Sequence, residues 1–145
     1  KYNMPDLLAA LGLAQMERWR ELNARRRVLA GLYFDGLRGT EGLDLPEVPS
    51  YDHVHAWHLF VVKVTGMSRD LFMQKLADHN IGYGLHFPPA HKLSYVKKRF
   101  GVRAASLPQT NLAADRIISL PLFPDMTEND VHYVCGAIKE ILKNA

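Results

Sequence analysis

The feature that most constrains this chain is a helical stripe too long for the body it belongs to. Residues 5–34 read as one helix. Pro5 suits a first turn, where a missing N–H costs nothing, and Asp6 puts negative charge near the helix N-terminus. Met4, Leu8, Leu11, Gln15, Trp19, Leu22, Arg26, Leu29 and Tyr33 recur at steps of four and three. All but Gln15 and Arg26 are apolar, so one face is adhesive along its whole length. At 1.5 Å per residue such a helix extends roughly 45 Å. A chain of 145 residues makes one ordinary domain, too small to cover that length. Part of the stripe is therefore expected to pack on another domain or another subunit. The chain also opens on Lys1 almost directly into the helix, so an N-terminal portion is expected to precede it.

The rest of the composition is that of a packed protein. Hydrophobic residues make up 48% and charged residues 23%, which supports a core and argues against global disorder. Cys135 is the single cysteine. It can make no internal disulfide, and a cytoplasmic location is the expectation. No apolar run approaches the roughly 20 residues of a membrane helix, and no signal peptide is recognisable. The net charge of +3 permits anionic ligands such as phosphates without requiring nucleic acid.

Beyond the long helix, residues 35–52 are rich in glycine, proline and acid and read as a loop. HAWHLFVVKV, 55–64, has the aromatic and β-branched content of a strand. Ser68 caps a short helix whose Leu71, Phe72 and Leu76 are expected on one face. SYVKKRF reads as a helix of two turns, LPQTNLAADR as a loop entering a short helix, and IISL, 117–120, as a buried strand stopped by Pro121. Thr127, with Asp130 three residues on, predicts a capping box for a last helix with Val131, Val134, Cys135, Ile138, Ile141 and Leu142 on its apolar face. The order predicts an α+β fold, with helices against one face of a small, mostly antiparallel sheet.

Most candidate chemistry has an ordinary reading. Cys135 belongs to an apolar helix face and reads as core. Ser94 and Lys97 match an S-x-x-K spacing that arises often by chance, with no accompanying motif. Seven histidines invite a metal, but His55 and His58 are three apart on an expected strand and point to opposite faces. His53 and His55 share a face but lack an acidic or cysteine partner at ligand spacing, so no metal is expected. Arg18, Arg20, Arg25, Arg26 and Arg27 scatter around their helix, and with Lys97, Lys98 and Arg99 they read as solvated charge. The residues alone still leave open a non-catalytic binding module with a basic surface for nucleic acid or another polyanion.

GYGLHFPPAH, 82–91, is different. Pro88 and Pro89 fix two φ angles and remove two donors, and each pushes its predecessor toward extended backbone. Gly82 and Gly84 permit close approach just before His86. The segment either holds His86 rigidly for a ligand or simply packs; residue physics leaves both open.

KYNMPDLLAALGLAQMERW, HAWHLFVV, NIGYGLHFPPAH and DRIISLPLFPDMTENDV occur in this order. Together they resemble the C-terminal part of the DegT–StrS family of pyridoxal-phosphate-dependent sugar-nucleotide aminotransferases, of fold-type I. HAWHLF, GLHFPPAH and SLPLFPDMT are most similar to the subgroup that makes UDP-4-amino-4-deoxy-L-arabinose by aminating UDP-4-keto-arabinose in lipid A modification. The resemblance implies a small C-terminal domain over 35–145, a connecting and dimer-forming helix over 1–34, and a large cofactor-binding domain that this chain lacks. It implies pyridoxal 5'-phosphate as cofactor, glutamate as amino donor, a nucleotide-linked keto sugar as acceptor, a homodimer, and no nucleic acid or membrane partner. The family's imine lysine lies upstream, so no catalytic residue is expected here and the chain alone is expected to be inactive. Many members carry asparagine-tyrosine-arginine-methionine before the first helix, where the asparagine reaches the cofactor phosphate of the neighbouring subunit. Here the tetrad is Lys1-Tyr2-Asn3-Met4, so Lys1 and Asn3 are the candidates for cofactor binding. His86, with Tyr83 and His91, is the expected substrate-binding set.

Overall fold

The computed structural model describes residues 3–101, 103 and 106–145. The first helix, α1, spans Asp6–Leu37, and its stripe is used only in its second half. Leu29, Ala30, Tyr33 and Leu37 are buried. Leu8, Leu11 and Trp19 are 54%, 59% and 46% exposed. The remaining elements are β1 (Leu43–Asp44), β2 (Phe60–Val64), α2 (Arg69–Asp78), a short 3-10 turn (Ala90–Lys92), α3 (Ser94–Phe100), α4 (Pro108–Ala114), β3 (Ile117–Leu120) and α5 (Glu128–Lys143).

The strands form a three-stranded antiparallel sheet in the order β1-β2-β3, as the α+β expectation requires. Phe60 stands opposite Leu120 and Val62 opposite Ile118. Because side chains alternate across a strand, Phe60, Val62, Val64, Ile118 and Leu120 share the face that packs on the helices. That face joins Leu29, Tyr33 and Leu37 of α1, Phe72 and Leu76 of α2, and Val131, Val134, Ile138 and Ile141 of α5 in one core. The Tyr33 ring stacks on Phe60 at 4.9 Å between centroids. Each such aliphatic or aromatic side chain contributes about 1.5–3 kcal/mol on burial. The alternate residues Val61, Lys63 and Ser119 point to the outer face.

The capping box forms as expected. The Thr127 hydroxyl accepts from the Asp130 amide, and Asp130 accepts from the Thr127 backbone N–H at 2.8 Å.

Two boundaries and one helix face differ from expectation. The strand begins at Phe60 rather than 55, because Trp57 adopts φ 45 and its amide donates to His55 Nδ1 at 2.8 Å rather than to a neighbouring strand. Residues 55–59 therefore lead into the sheet without joining it, and His58 is exposed. Leu71, expected on the buried face of α2, is 44% exposed; Phe72 and Leu76, one i,i+4 step apart, make that face. The loop expected over 35–52 begins later, since α1 runs to Leu37, and it contains β1. Gly42, at φ 79, accepts from the amides of Thr65 and Gly66. A Cβ there would lie 2.7 Å from the Gly66 Cα, so only glycine lets the two backbones meet.

Candidate functional site

The candidate site lies on the outer face of the sheet. Gly84 exchanges both backbone hydrogen bonds with Ser119, at 3.0 and 2.9 Å, making a one-residue antiparallel bridge on the outer edge of β3. Such a pair directs its side chains to the same face, and so does the residue two further on. His86 therefore folds its ring back over Gly84, with Nδ1 2.9 Å from Ser119 Oγ. A Cβ at 84 would collide with the imidazole, so the glycine vacates the space the ring occupies. Pro88 and Pro89 then stiffen the exit. Phe87 is 82% exposed, and its peptide bond with His86 is cis.

His86, Tyr83, His58, Ser119, Pro121 and Leu122 line a cleft of about 250 Å³. Its polar groups are two imidazoles, a phenol and a hydroxyl, and among the described residues no carboxylate lines it. This set can donate to and accept from hydroxyl or phosphate oxygens. One wall is held from behind by α1. The Tyr33 hydroxyl donates to the Pro121 carbonyl at 2.8 Å, and Arg25 Nη2 donates to the Met126 carbonyl at 2.7 Å. Burial pushes the Tyr33 phenol well above its ordinary pKa. With Arg25 engaged here, the basic residues of α1 do not form one free cationic face.

The expected site residues separate. His86 and Tyr83 share the cleft. His91 is buried, with Nε2 2.7 Å from Asn111 Oδ1, so it fastens the Ala90–Lys92 turn to α4 and does not line the cleft with His86. Beside it Lys92 pairs with Asp115 at 2.9 Å, and this hydrogen bond lowers the Asp115 pKa. Asn3 is exposed just before α1, and its amide has the chemistry to donate to a phosphate. Lys1 lies outside the described residues. No group of His, Cys, Asp or Glu able to hold a metal occurs among the described residues.

Two cleft residues escaped the sequence reading. Ser119 sits inside the apolar run IISL, where it is the lone polar residue; that was the available signal. His58 was assigned to a strand that does not extend so far.

Known proteins bear on this geometry. The DegT/DnrJ/EryC1/StrS aminotransferase family model matches residues 1–139. Spr1654 of Streptococcus pneumoniae, assigned as a sugar aminotransferase and solved in apo, PLP and PMP forms, is 27% identical with a TM-score of 0.90 over 98% of this chain and 36% of its own. The aminotransferase TlmJ of Streptoalloteichus hindustanus is 28% identical, TM-score 0.85, over 96% of this chain and 37% of its own. DesV of S. venezuelae is 29% identical, TM-score 0.85, over 94% of this chain and 36% of its own. The chain thus spans a little over a third of the length of the solved structures it matches. No helix among the described residues is long and apolar enough to cross a membrane. With the family model matched over nearly its whole length, the chain belongs to the DegT/DnrJ/EryC1/StrS aminotransferase family.

Proposed function

We propose that this chain is the small-domain portion of a pyridoxal-phosphate-dependent sugar aminotransferase. The parent enzyme moves an amino group from glutamate to a keto group on a nucleotide-linked sugar, works as a homodimer and resides in the cytoplasm. UDP-4-keto-arabinose is the proposed acceptor within that class, on the strength of HAWHLF, GLHFPPAH and SLPLFPDMT. The observation that carries the reading is the His86 cleft, set in a chain matched by the family model over 1–139. It is a preorganised polar recess with a glycine cleared for its imidazole.

When bound, the cofactor supplies the electron sink; the imine lysine comes from the remainder of the parent, and this chain alone is inactive. Asn3 or Lys1 offers a donor to the cofactor phosphate, one through its amide and the other through its charge. His86 and Tyr83 hold oxygens of the sugar nucleotide. His91 acts from behind on the substrate side, keeping the turn after Pro89 in place through Asn111. Rigid placement of such groups lowers the entropy lost on reaching the reactive pose.

Absorbance of the full-length enzyme with pyridoxal phosphate, followed by turnover of glutamate and a keto sugar nucleotide, tests this. Imine formation and turnover by the full-length enzyme, with neither from the 145-residue chain, are expected. Turnover by the short chain unaided, or no cofactor binding by the full-length enzyme, overturns it.

A further inference from the structure

Ser119 is buried, at 5% exposure, and a buried hydroxyl needs an acceptor for its proton. Its backbone N–H and C=O are both engaged with Gly84, at 2.9 and 3.0 Å. Its side chain has one hydrogen-bond partner among the described residues, His86 Nδ1 at 2.9 Å. Each nitrogen of a neutral imidazole either donates or accepts, never both. If Nδ1 carried the hydrogen, the Ser119 oxygen would accept it, and the hydroxyl proton would have no acceptor among the described residues. If Nδ1 is bare, the hydroxyl donates to it and is satisfied. The hydrogen of the neutral ring then sits on Nε2. Nε2 has no hydrogen-bond partner among the described residues, and the ring borders the cleft beside Tyr83 and His58.

We infer that Ser119 is a positioning residue: its hydroxyl donates to His86 Nδ1, fixes the tautomer of the ring and makes Nε2 a hydrogen-bond donor toward the substrate. The inference deepens, and rests on, the reading of this cleft as the sugar-nucleotide side of an aminotransferase. It gives His86 a chemical direction. A neutral imidazole held this way offers a hydrogen and takes none. It therefore recognises an acceptor oxygen of the sugar nucleotide and does not serve as a base toward a substrate hydroxyl or amine. Among the described residues no carboxylate lines the cleft, so no anionic side chain there competes for the Nε2 hydrogen. Gly84 belongs to the same device. A Cβ at 84 would stand 3.0 Å from Nδ1 and 3.1 Å from Nε2, so a side chain there would displace both nitrogens.

Nitrogen NMR of the full-length enzyme with isotopically labelled histidine tests the inference, recorded about two pH units above the ordinary histidine pKa of about 6.5. The His86 signals are those lost in His86→Gln. Nδ1 is expected bare and Nε2 protonated. Ser119→Ala is expected to move the Nδ1 signal further downfield, because a bare nitrogen that loses its donor is deshielded. Ser119→Thr, which keeps the hydroxyl, is expected to leave it in place. A protonated Nδ1 overturns the inference, and so does an Nδ1 signal indifferent to Ser119→Ala. In steady-state kinetics Ser119→Ala is expected to raise KM for the keto sugar nucleotide by about threefold to tenfold, the scale of one weakened hydrogen bond. The KM for glutamate is expected to stay the same, and Ser119→Thr to restore the sugar KM. An unchanged sugar KM in Ser119→Ala overturns the link from tautomer to substrate. Turnover separates the two readings. Turnover with Nδ1 protonated rejects the role of Ser119 alone, and the expected spectrum without turnover rejects the function alone.

Discussion

The imidazole of His86 rests against the hydroxyl of Ser119, Nδ1 to Oγ at 2.9 Å, across 33 residues of sequence and directly above Gly84. The contact ties a proline-stiffened turn to the sheet edge, and it makes the orientation of His86 depend on the absence of a side chain two residues before it. Gly84→Ala should therefore disturb His86 more than the fold. The expected outcome for the full-length enzyme is a rise in KM for the keto sugar nucleotide with a smaller change in kcat. Steady-state kinetics with the sugar varied at saturating glutamate checks this.

The Tyr33 hydroxyl, buried and donating to the Pro121 carbonyl, supports the cleft wall from the core side. Tyr33→Phe leaves that carbonyl without its donor and should cost about 1–3 kcal/mol. Chemical denaturation checks it, with the midpoint falling and the slope unchanged.

Alkaline stability follows from two buried groups. Burial raises the Cys135 thiol from 9.0 to about 11 and raises the Tyr33 phenol from 10.0. Each folded-state pKa lies above its unfolded value, so the unfolded chain releases these protons first. Their contribution is intact below pH 9 and is lost as pH rises, first through the window from 9 to about 11 set by Cys135. Each group adds a slope of about 1.4 kcal/mol per pH unit within its window. Denaturation across pH 8–11 should show this decline, and Cys135→Ala should remove its earlier part.

The two halves of α1 should respond to substitution very unequally. Leu29→Ala, at a fully buried position, should destabilise the chain by about 2–5 kcal/mol. Leu11→Ser, at a position 59% exposed, should change it by about 0.5 kcal/mol or less. Thermal unfolding of both variants of the 145-residue chain checks the contrast.

Local signals in the sequence read true where local physics decides the outcome. The Thr127–Asp130 box, the Ser68 cap and the apolar spacing of α5 each act within one or two turns. The overlong stripe of α1 was legible for the same reason, and half of it is exposed here. What escaped the sequence depends on tertiary contacts. The φ of Trp57 follows from its amide meeting His55, and it shortens a strand that composition alone extends to 55. Ser119 in IISL looks like core until Gly84 pairs beside it and His86 closes over it. Arg26 broke the apolar stripe visibly, but that its buried Nε has no hydrogen-bond partner among the described residues emerges only in the fold. Of the expected site residues, His86 and Tyr83 meet in one cleft, because the proline pair and the glycines act locally. His91 goes elsewhere, because its partner Asn111 is 20 residues away.

The most direct measurement is the pair of single-turnover half-reactions of the full-length enzyme carrying His86→Ala, one with glutamate and one with the keto sugar nucleotide. A fall of about tenfold or more confined mainly to the sugar half-reaction, the scale of one lost hydrogen bond to substrate, is the expected result. Equal rates for variant and parent in the sugar half-reaction would contradict a substrate-side role for His86.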